Sequence, residues 1–429
     1  MGDVVGIASI GLLFVLLVLG IPVFVSMAGA ALAGFLLIED PAQAFASLSQ
    51  IVWQSSLIFE LVAIPLFIFA GLLMEKTGAG EALLDVTKAW VGGVPNSLGV
   101  ATIFACGIFA AISGSSIATA ATIGVVAIPL LLRENYSRAQ AGGLVAGGGT
   151  LGIIIPPSIP LILYGVITET SVGKLFMAGV LPGLILLSLF ALYVSSSKPR
   201  VVNRQRVTWE ERKRVTRRGI GVLLLPVVII AAIYTGLFTP TEVAALSVVY
   251  VIALGALQRR LSVAAFFEAA SAATKSTAML LMLIIFGEYF AHLLTFEQLP
   301  DAIAAWVTSY SAGLFVTITL MNVAYLILGA FLETAAMLLI SVPIFFPISQ
   351  ALHIDPIVFG IYVCISMEVS QIHPPIGINL LTVHGLSKIP LWDLAKGTFP
   401  FLLIQLAMLY AIIFVPQLSL WLPNHMFGR

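Results

Sequence analysis

SGSSIATA at residues 113–120, followed by GGGTLGIIIPPS at 147–158, forms the first of two matching elements that decide the fold of this chain. The second element carries FLETAAML at 331–338 and SQIHPPIGIN at 370–379. Adding 218 to the residue numbers, with no gap, brings four prolines and a glycine into register: Pro129 on Pro347, Pro156 on Pro374, Pro157 on Pro375, Gly179 on Gly397 and Pro182 on Pro400. Duplicated apolar segments interrupted by Pro and Gly are typical of the binding regions of secondary transporters.

The composition is that of a membrane protein. Hydrophobic residues make up 60% of the 429 residues and charged residues 9%, whereas soluble domains carry about 25% charged residues. Apolar runs long enough to cross a bilayer recur along the whole chain, so we expect an all-α polytopic fold with about 10–12 transmembrane helices. The apolar composition indicates a lipid bilayer as the surrounding medium, and the formal net charge of zero implies no nucleic-acid partner.

The sequence divides into two repeats separated by a basic linker. The first repeat covers residues 1–195, the linker 196–218 and the second repeat 219–429. The stretch from residue 195 to 218 contains nine Lys or Arg residues against Glu210 and Glu211, and cytoplasmic loops are enriched in Lys and Arg. We therefore expect a cytoplasmic linker. An odd number of spans in each repeat would then give the repeats inverted orientations.

Each repeat contains two predicted interruptions of its helices. A polar break near residue 114 predicts a re-entrant hairpin over about 104–132, and a break near residue 333 predicts a second hairpin over about 320–350. The Pro-Pro pairs predict broken helices over about 141–170 and about 355–386, because proline lacks an N–H and clashes with the preceding turn. Carbonyl oxygens and helix N-termini become free at such breaks.

The hairpin tips and the broken helices supply oxygen ligands of the kind that hard cations prefer. We expect two sodium sites with transported ions. The first combines Ser113, Gly114, Ser115, Ser116, Thr150 and Gly152. The second combines Glu333, Thr334, His373, Gly377 and Asn379. A carboxylate at bilayer depth costs about 2.5–3.5 kcal/mol, so Glu333 should face a cavity, a cation or a partner.

The residues at the Pro-Pro pairs form the predicted substrate region, because half-helix N-termini present free N–H groups and a positive dipole end to an anion. These residues are Pro156, Pro157, Ser158, Pro374 and Pro375. The sequence shows no nucleotide-binding loop with Lys-Ser/Thr, no HExxH and no nucleophile elbow. These absences disfavour an enzyme and predict that an ion gradient supplies the energy.

Six segments resemble the large membrane (M) subunit of tripartite ATP-independent periplasmic (TRAP) transporters. They are AIPLFIFAGLLMEKTG from residue 63, ISGSSIATA from 112, IIPPSIPLILYGVITETSVGKLFMAGVLPG from 154, ETAAMLLISVPIFFPIS from 333, HPPIGINL from 373 and PQLSLWLP from 416. The chain departs from the family at Gln371 and His373, where the family often has an apolar residue and a threonine. The resemblance covers nearly the whole chain.

The resemblance implies a sodium-coupled, elevator-type importer of an organic anion in the bacterial inner membrane. The substrate would be a carboxylate such as a C4-dicarboxylate, a sialic acid, or a sugar or keto acid. The resemblance also implies two partners. One is a small four-helix membrane (Q) subunit, expected as a separate chain, and the other is a periplasmic substrate-binding (P) protein. A self-sufficient sodium/dicarboxylate symporter, a channel or scaffold subunit and a membrane enzyme are the alternatives.

Overall fold

The computed structural model describes residues 2–197, 207–309, 313–374 and 377–427, and this part of the chain is helical and contains no strand. The first half holds α1 (Gly2–Val18), α2 (Val23–Ile38), α3 (Pro41–Ser56), α4 (Ala63–Lys76), α5 (Ala79–Val91), α6 (Ser97–Ser113), α7 (Ser116–Arg133), α8 (Arg138–Gly149), α9 (Leu151–Ile154), α10 (Ile159–Ile167) and α11 (Val172–Ser196). The second half holds α12 (Trp209–Tyr234), α13 (Pro240–Leu257), α14 (Val263–Phe296), α15 (Leu299–Ser309), α16 (Leu314–Leu328), α17 (Thr334–Ala351), α18 (Pro356–Gln371), α19 (Ile378–Ser387), α20 (Leu391–Phe414) and α21 (Gln417–Phe427).

The bounds of the helices repeat with the same offset as the sequence. Adding 218 to the bounds of α7 gives 334–351, the bounds of α17, and α8 and α18 begin at residues 138 and 356, again 218 apart. The first hairpin, α6 with α7, spans 97–133 and starts seven residues before the predicted 104 (104 − 97), because α6 begins directly after Asn96 in a left-handed turn. The second hairpin, α16 with α17, spans 314–351.

Among the described residues, seven helices and the broken stretch Arg138–Ile167, which comprises α8–α10, are long and apolar enough to cross a membrane. The pair Pro41–Ser56 and Phe59–Lys76 would make a ninth span if it crosses as one, and it is bent by 63°. Five further apolar helices are only 10–17 residues long. The number of full spans is lower than the 10–12 predicted, because several apolar helices, such as α6 and α18, are shorter than a complete crossing.

Most helices fall into an inner group and an outer group, and α5 and α15 contact both. The inner group, α6–α11 with α16–α20, contains both hairpins and both broken helices, and it mixes the two repeats: α8 packs on α20, and α10 packs on α17 and α18. The buried Tyr164 hydroxyl on α10 donates a hydrogen bond to the carbonyl of Pro356 at 2.6 Å. The outer group, α1–α4 with α12–α14, meets the inner group mainly where α4 contacts α6 and α14 contacts α17.

The predicted linker is partly helical. Residues 198–206 lie outside the described residues, and α12 begins at Trp209 with Thr208 as its N-cap, which accepts a hydrogen bond from the backbone N–H of Glu211. The first ten residues of α12 are strongly charged and the remainder is apolar. This abrupt change marks the level at which α12 passes from water into the bilayer.

Candidate functional site between the hairpin tips

The first hairpin tip is a two-residue break between α6 and α7. Gly114 has φ +60° and ends α6 in the left-handed conformation, which costs little only for glycine. A Cβ at Gly114 would also lie 2.5 Å from the carbonyl oxygen of Pro157. Ser115 is extended and caps α7, accepting a hydrogen bond from the backbone N–H of Ala118 at 3.3 Å. The tip therefore rests directly on the first Pro-Pro loop.

The second hairpin tip lies between α16 and α17. Glu333 is the N-cap of α17, yet its carboxylate makes no capping hydrogen bond, and the residue is half-buried. The Thr334 hydroxyl accepts a hydrogen bond from the side-chain amide of Gln371, at the end of α18. The second tip is thus tied to the second broken helix and leaves its carboxylate free of local bonds.

Both tips face one cavity of about 340 Å³. The first tip contributes residues 113–118 and the second contributes Glu333, Thr334 and Ala335. The α4 and α14 helices of the outer group close the cavity from the other side and bring a second carboxylate, Glu75. Among the described residues no Lys, Arg or His lines this cavity. Its polar lining therefore consists of hydroxyls, an amide, backbone groups and two carboxylates, a set suited to cations.

Three helices begin at the edge of this cavity. The N-terminal residues of α7 (Ser116), α10 (Ile159) and α17 (Thr334) all line it. A helix N-terminus carries free N–H groups and a partial positive charge, and it binds carboxylate and phosphate groups. The cavity therefore combines donors for an anion with oxygen ligands for cations.

Of the predicted first cation site, four residues line the cavity and two lie behind it. Ser113, Gly114, Ser115 and Ser116 line it. Gly152 supports the tip from behind, because a Cβ there would come within 2.7 Å of the Ser115 carbonyl group. Thr150 is fully buried, donates to the carbonyl of Gly147 at 2.6 Å and accepts a hydrogen bond from Gln405.

Of the predicted second cation site, Glu333 and Thr334 line the cavity, and the other three residues do not. His373 is half-buried. Gly377 passes close to the preceding helix, because a Cβ there would lie 2.0 Å from the carbonyl oxygen of Gln371. Asn379 is fully buried at the start of α19, and neither of its amide atoms has a hydrogen-bond partner among the described residues.

The predicted substrate residues lie in the two Pro-Pro loops. The Pro156–Pro157 peptide bond is cis. The Ser158 hydroxyl caps α10 by accepting a hydrogen bond from the backbone N–H of Leu161 at 3.3 Å, and Ser158 is fully buried. Pro374 is half-buried, whereas Pro375 lies outside the described residues. The hydroxyl of Ser158 thus stabilises the start of a half-helix whose first residues reach the cavity.

Residues 10–418 match a family model described as the tripartite ATP-independent periplasmic transporter, DctM component. The chain belongs to this family. A C4-dicarboxylate TRAP transporter large permease protein, DctM, from Pseudomonas aeruginosa is 40% identical over 88% of this chain and 89% of its own. The sialic acid TRAP transporter large permease protein SiaM from Vibrio cholerae is 34% identical over 98% and 97%. The chain is therefore a transporter permease subunit and not an enzyme.

The fold is shared with more distant membrane transporters. The YdaH transporter of Alcanivorax borkumensis matches 89% of this TRAP permease and 89% of its own chain, with a TM-score of 0.61 at 16% identity. The isethionate TRAP transporter permease protein DctMQ of Oleidesulfovibrio alaskensis is 34% identical, and the match covers 64% of that longer protein. The match to YdaH shows that this helical fold also occurs in a more distant transporter.

Three buried polar residues of this permease were not among the predicted site residues. Glu368 on α18 is 0% exposed and accepts a hydrogen bond from Ser116, and its second oxygen has no partner among the described residues. Gln371 lines the cavity and bonds Thr334, and Gln405 on α20 bonds Thr150. The sequence shows each of them as a polar residue inside an apolar helix. Only the fold shows which residues they contact.

A pair of glycines lets the outer helices approach both hairpins of this permease. Gly71 on α4 and Gly287 on α14 are related by an offset of 216 (287 − 71). A Cβ at Gly71 would lie 3.3 Å from the Cα of Ser113, and one at Gly287 would lie 2.9 Å from the Cβ of Leu339 on α17. Both duplicated glycines therefore lie at close contacts between the outer and inner groups, Gly71 against the end of α6 and Gly287 against α17.

Proposed function

We propose that this TRAP permease imports an organic anion across the bacterial inner membrane, driven by a sodium gradient. The observation that carries the proposal is the single cavity between the hairpin tips. Three helix N-termini offer N–H donors to a carboxylate there, while Glu75 and Glu333 add negative charge and the described lining contains no cationic side chain. Because uncompensated like charges repel, an anion would bind in this cavity only together with cations.

The two cation sites are assigned to the two tips and the loops behind them. The first uses Ser113, Gly114, Ser115 and Ser116, supported by Thr150 and Gly152. The second uses Glu333 and Thr334 at the tip, with His373, Gly377 and Asn379 in the loop and helix start after α18. Hydroxyl, carbonyl, amide and carboxylate oxygens are the ligands that hard cations prefer. Sodium would be cargo in both sites.

An elevator movement of the inner group against the outer group would expose the cavity alternately to the two sides of the membrane. This proposal is supported by the arrangement of the walls. The tips belong to the inner group, whereas α4 and α14 belong to the outer group, so the cavity lies between the two groups. Gly71 and Gly287 let the helices of the two groups approach closely along this boundary.

We assign two protein partners and an orientation from the family. A periplasmic substrate-binding protein would deliver the anion, and a small membrane subunit encoded as a separate chain would complete the permease. The basic segment 196–218 would be cytoplasmic, in agreement with the positive-inside rule. The names of the relatives include C4-dicarboxylate and sialic acid transporters, and a carboxylate is the substrate class proposed for this chain.

Uptake into proteoliposomes tests the proposal. The permease and its small subunit would be reconstituted, and labelled succinate and sialic acid would be supplied outside with the cognate binding protein. We expect uptake only with an inward sodium gradient and only with the binding protein. Uptake that needs sodium alone would indicate a self-sufficient symporter, and uptake under a potassium gradient of the same size would overturn sodium coupling.

A further inference from the structure

The start of α12 and the end of α5 form a groove that the transport function does not use. Trp90, at the end of α5, and Trp209, the first residue of α12, meet edge to face with ring centroids 5.9 Å apart. The indole N–H of Trp90 donates a hydrogen bond to the Thr216 hydroxyl at 2.9 Å. Both indoles are nonetheless half exposed, at 50% and 57%. The two indoles therefore form an ordered aromatic patch on the protein surface.

On one face of α12, basic residues follow the exposed indole of Trp209. Trp209, Lys213, Arg217 and Ile220 follow each other at spacings of four, four and three residues, which places them on one side of the helix. They line an apolar groove together with Trp90 and Thr216. A second groove beside it is lined by four basic residues, Lys213, Arg214, Arg217 and Arg218, and shares Lys213 and Arg217 with the first. The surface is therefore apolar on one side and cationic on the other.

Within the described part of the chain, most of this positive charge has no ion-pair partner, although Asp85 of α5 attracts Arg218 electrostatically. Arg214 pairs with Glu211 at 3.3 Å. The guanidinium of Arg212 lies 6.0 Å above the Trp90 ring, and the ammonium of Lys213 lies 5.6 Å from the Trp209 ring. Among the described residues no carboxylate lies within 4.0 Å of the side-chain nitrogens of Lys213, Arg217 or Arg218.

The groove also lies at the level where α12 enters the bilayer. Charged residues end at Arg218, and the apolar part of α12 starts at Gly219, which packs on Val86 of α5. Tryptophan is enriched at membrane interfaces, and clusters of Lys and Arg beside a transmembrane helix bind anionic lipid headgroups. An acidic protein partner would satisfy the cations but would not account for the apolar groove beside them.

We propose that this groove binds one anionic phospholipid. The phosphodiester would lie between Lys213 and Arg217, and the first part of an acyl chain would lie along Trp90, Trp209 and Ile220. The α5 helix connects α4 of the outer group to the first hairpin. A lipid bound in this groove would therefore anchor the contact between α5 and α12 at the membrane surface. The proposal does not depend on the substrate or on the coupling ion.

Native mass spectrometry of the detergent-purified chain tests this proposal. The chain would be incubated with phosphatidylglycerol, phosphatidylethanolamine or phosphatidylcholine, and bound lipid would be counted. We expect retention of phosphatidylglycerol above the other two. The double variant K213Q/R217Q should bind it roughly tenfold more weakly or worse, because each cation near an anionic headgroup contributes to binding. Equal retention of the three lipids by the unmodified chain would overturn the proposal.

The matched control is R133Q/R138Q. It removes the same charge from exposed residues beside Glu134, which pairs with Lys88 of α5 at 3.9 Å and so lies near the same helix. This control should keep phosphatidylglycerol. A loss in the control equal to that in K213Q/R217Q would show general charge attraction and would contradict a defined site.

Two further experiments distinguish a bound lipid from other ligands of the groove. Excess glycerol 3-phosphate, which has the headgroup chemistry without acyl chains, should leave the lipid bound, and its displacement of the lipid would indicate a free-anion site. W209A should weaken lipid binding although the cations remain. If K213Q/R217Q kept the lipid but lost the small membrane subunit during co-purification, the groove would be a protein interface and the proposal would be wrong.

Discussion

The hydroxyl of Ser116, at the tip of the first hairpin, donates a hydrogen bond to the carboxylate of Glu368 on the second broken helix. The two residues belong to different repeats and are 252 positions apart in the chain. Ser116 also lines the cavity, so this bond connects the cavity wall to a carboxylate that is completely buried. Among the described residues no Lys or Arg pairs with Glu368.

The first prediction concerns that carboxylate. A buried carboxylate without a basic partner is costly unless a cation or a proton compensates it. We expect Glu368→Gln, which keeps the shape and can still accept from Ser116, to lower sodium-driven uptake by at least about tenfold, equivalent to about 1.4 kcal/mol. The melting temperature in detergent should stay the same or rise, since the buried charge is gone.

Uptake in proteoliposomes and thermal unfolding in detergent would be measured on the same preparation. Glu60→Gln is the control, because Glu60 is an exposed carboxylate away from the tips. Unchanged uptake by Glu368→Gln would remove Glu368 from the transport mechanism. A large fall in melting temperature would make it a structural residue.

The second prediction separates the role of Ser115 as a helix cap from its role in cation binding. Ser115→Ala should remove sodium-driven uptake, and it should also cost about 1 kcal/mol of helix stability because the N-cap is lost. Ser262→Ala removes an equivalent cap, which accepts from Ala265 at 3.1 Å at the start of α14 and outside the cavity. Uptake as a function of sodium concentration distinguishes the two variants. If Ser262→Ala lost as much uptake as Ser115→Ala, capping alone would explain the effect.

Glu333→Ala provides the third prediction. Its carboxylate makes no capping bond and faces the cavity, so its removal should abolish uptake while the protein stays folded. Gel filtration in detergent would check the fold. Wild-type uptake rates in both Ser115→Ala and Glu333→Ala would refute the assignment of the tips as cation sites.

The sequence predicted the hairpin tips and Pro-Pro loops because glycine, proline and hydroxyl residues inside apolar runs have a local physical meaning. Gly114 is needed for its positive φ, and Ser115 caps the next helix, and both signals are local. The contacts of Glu368, Gln371 and Gln405 are not local. Gln405 reaches Thr150 over 255 positions, and no periodicity in one repeat indicates which helix of the other repeat it will meet.

The fourth prediction concerns the close contact behind the first tip. A Cβ at Gly152 would come within 2.7 Å of the Ser115 carbonyl, so Gly152→Ala should displace the tip and destabilise the protein by about 1–3 kcal/mol. A Cβ added at Gly385 in α19 would meet nothing within 4 Å, and Gly385→Ala should be neutral or stabilising by up to about 1 kcal/mol. Thermal unfolding and uptake of both variants check this. Equal melting temperatures would show that the tip tolerates the added methyl group.

The last prediction compares two buried asparagines. The Asn322 side-chain oxygen accepts hydrogen bonds from Tyr362 at 3.1 Å and from Ser366 at 3.0 Å, whereas neither amide atom of Asn379 has a partner among the described residues. Removing Asn322 takes one acceptor from each of two buried hydroxyls, which keep only the carbonyls of Ile318 at 3.1 Å and Tyr362 at 2.9 Å, and costs about 1 kcal/mol. Replacing an unpaired polar group by an apolar one is neutral or stabilising. Asn322→Leu should therefore lower the melting temperature.

Asn379→Leu should leave the melting temperature unchanged or raise it, and it should reduce sodium-driven uptake by at least about tenfold if the amide binds cargo. The two variants make the same chemical change, so the difference between their melting temperatures reports the hydrogen bonding around each asparagine. A fall in melting temperature for Asn379→Leu would show that its amide is bonded within the fold. Full uptake with an unchanged melting temperature would exclude Asn379 from the second cation site, and the site would then consist of the tip residues Glu333 and Thr334 with the loop carbonyls.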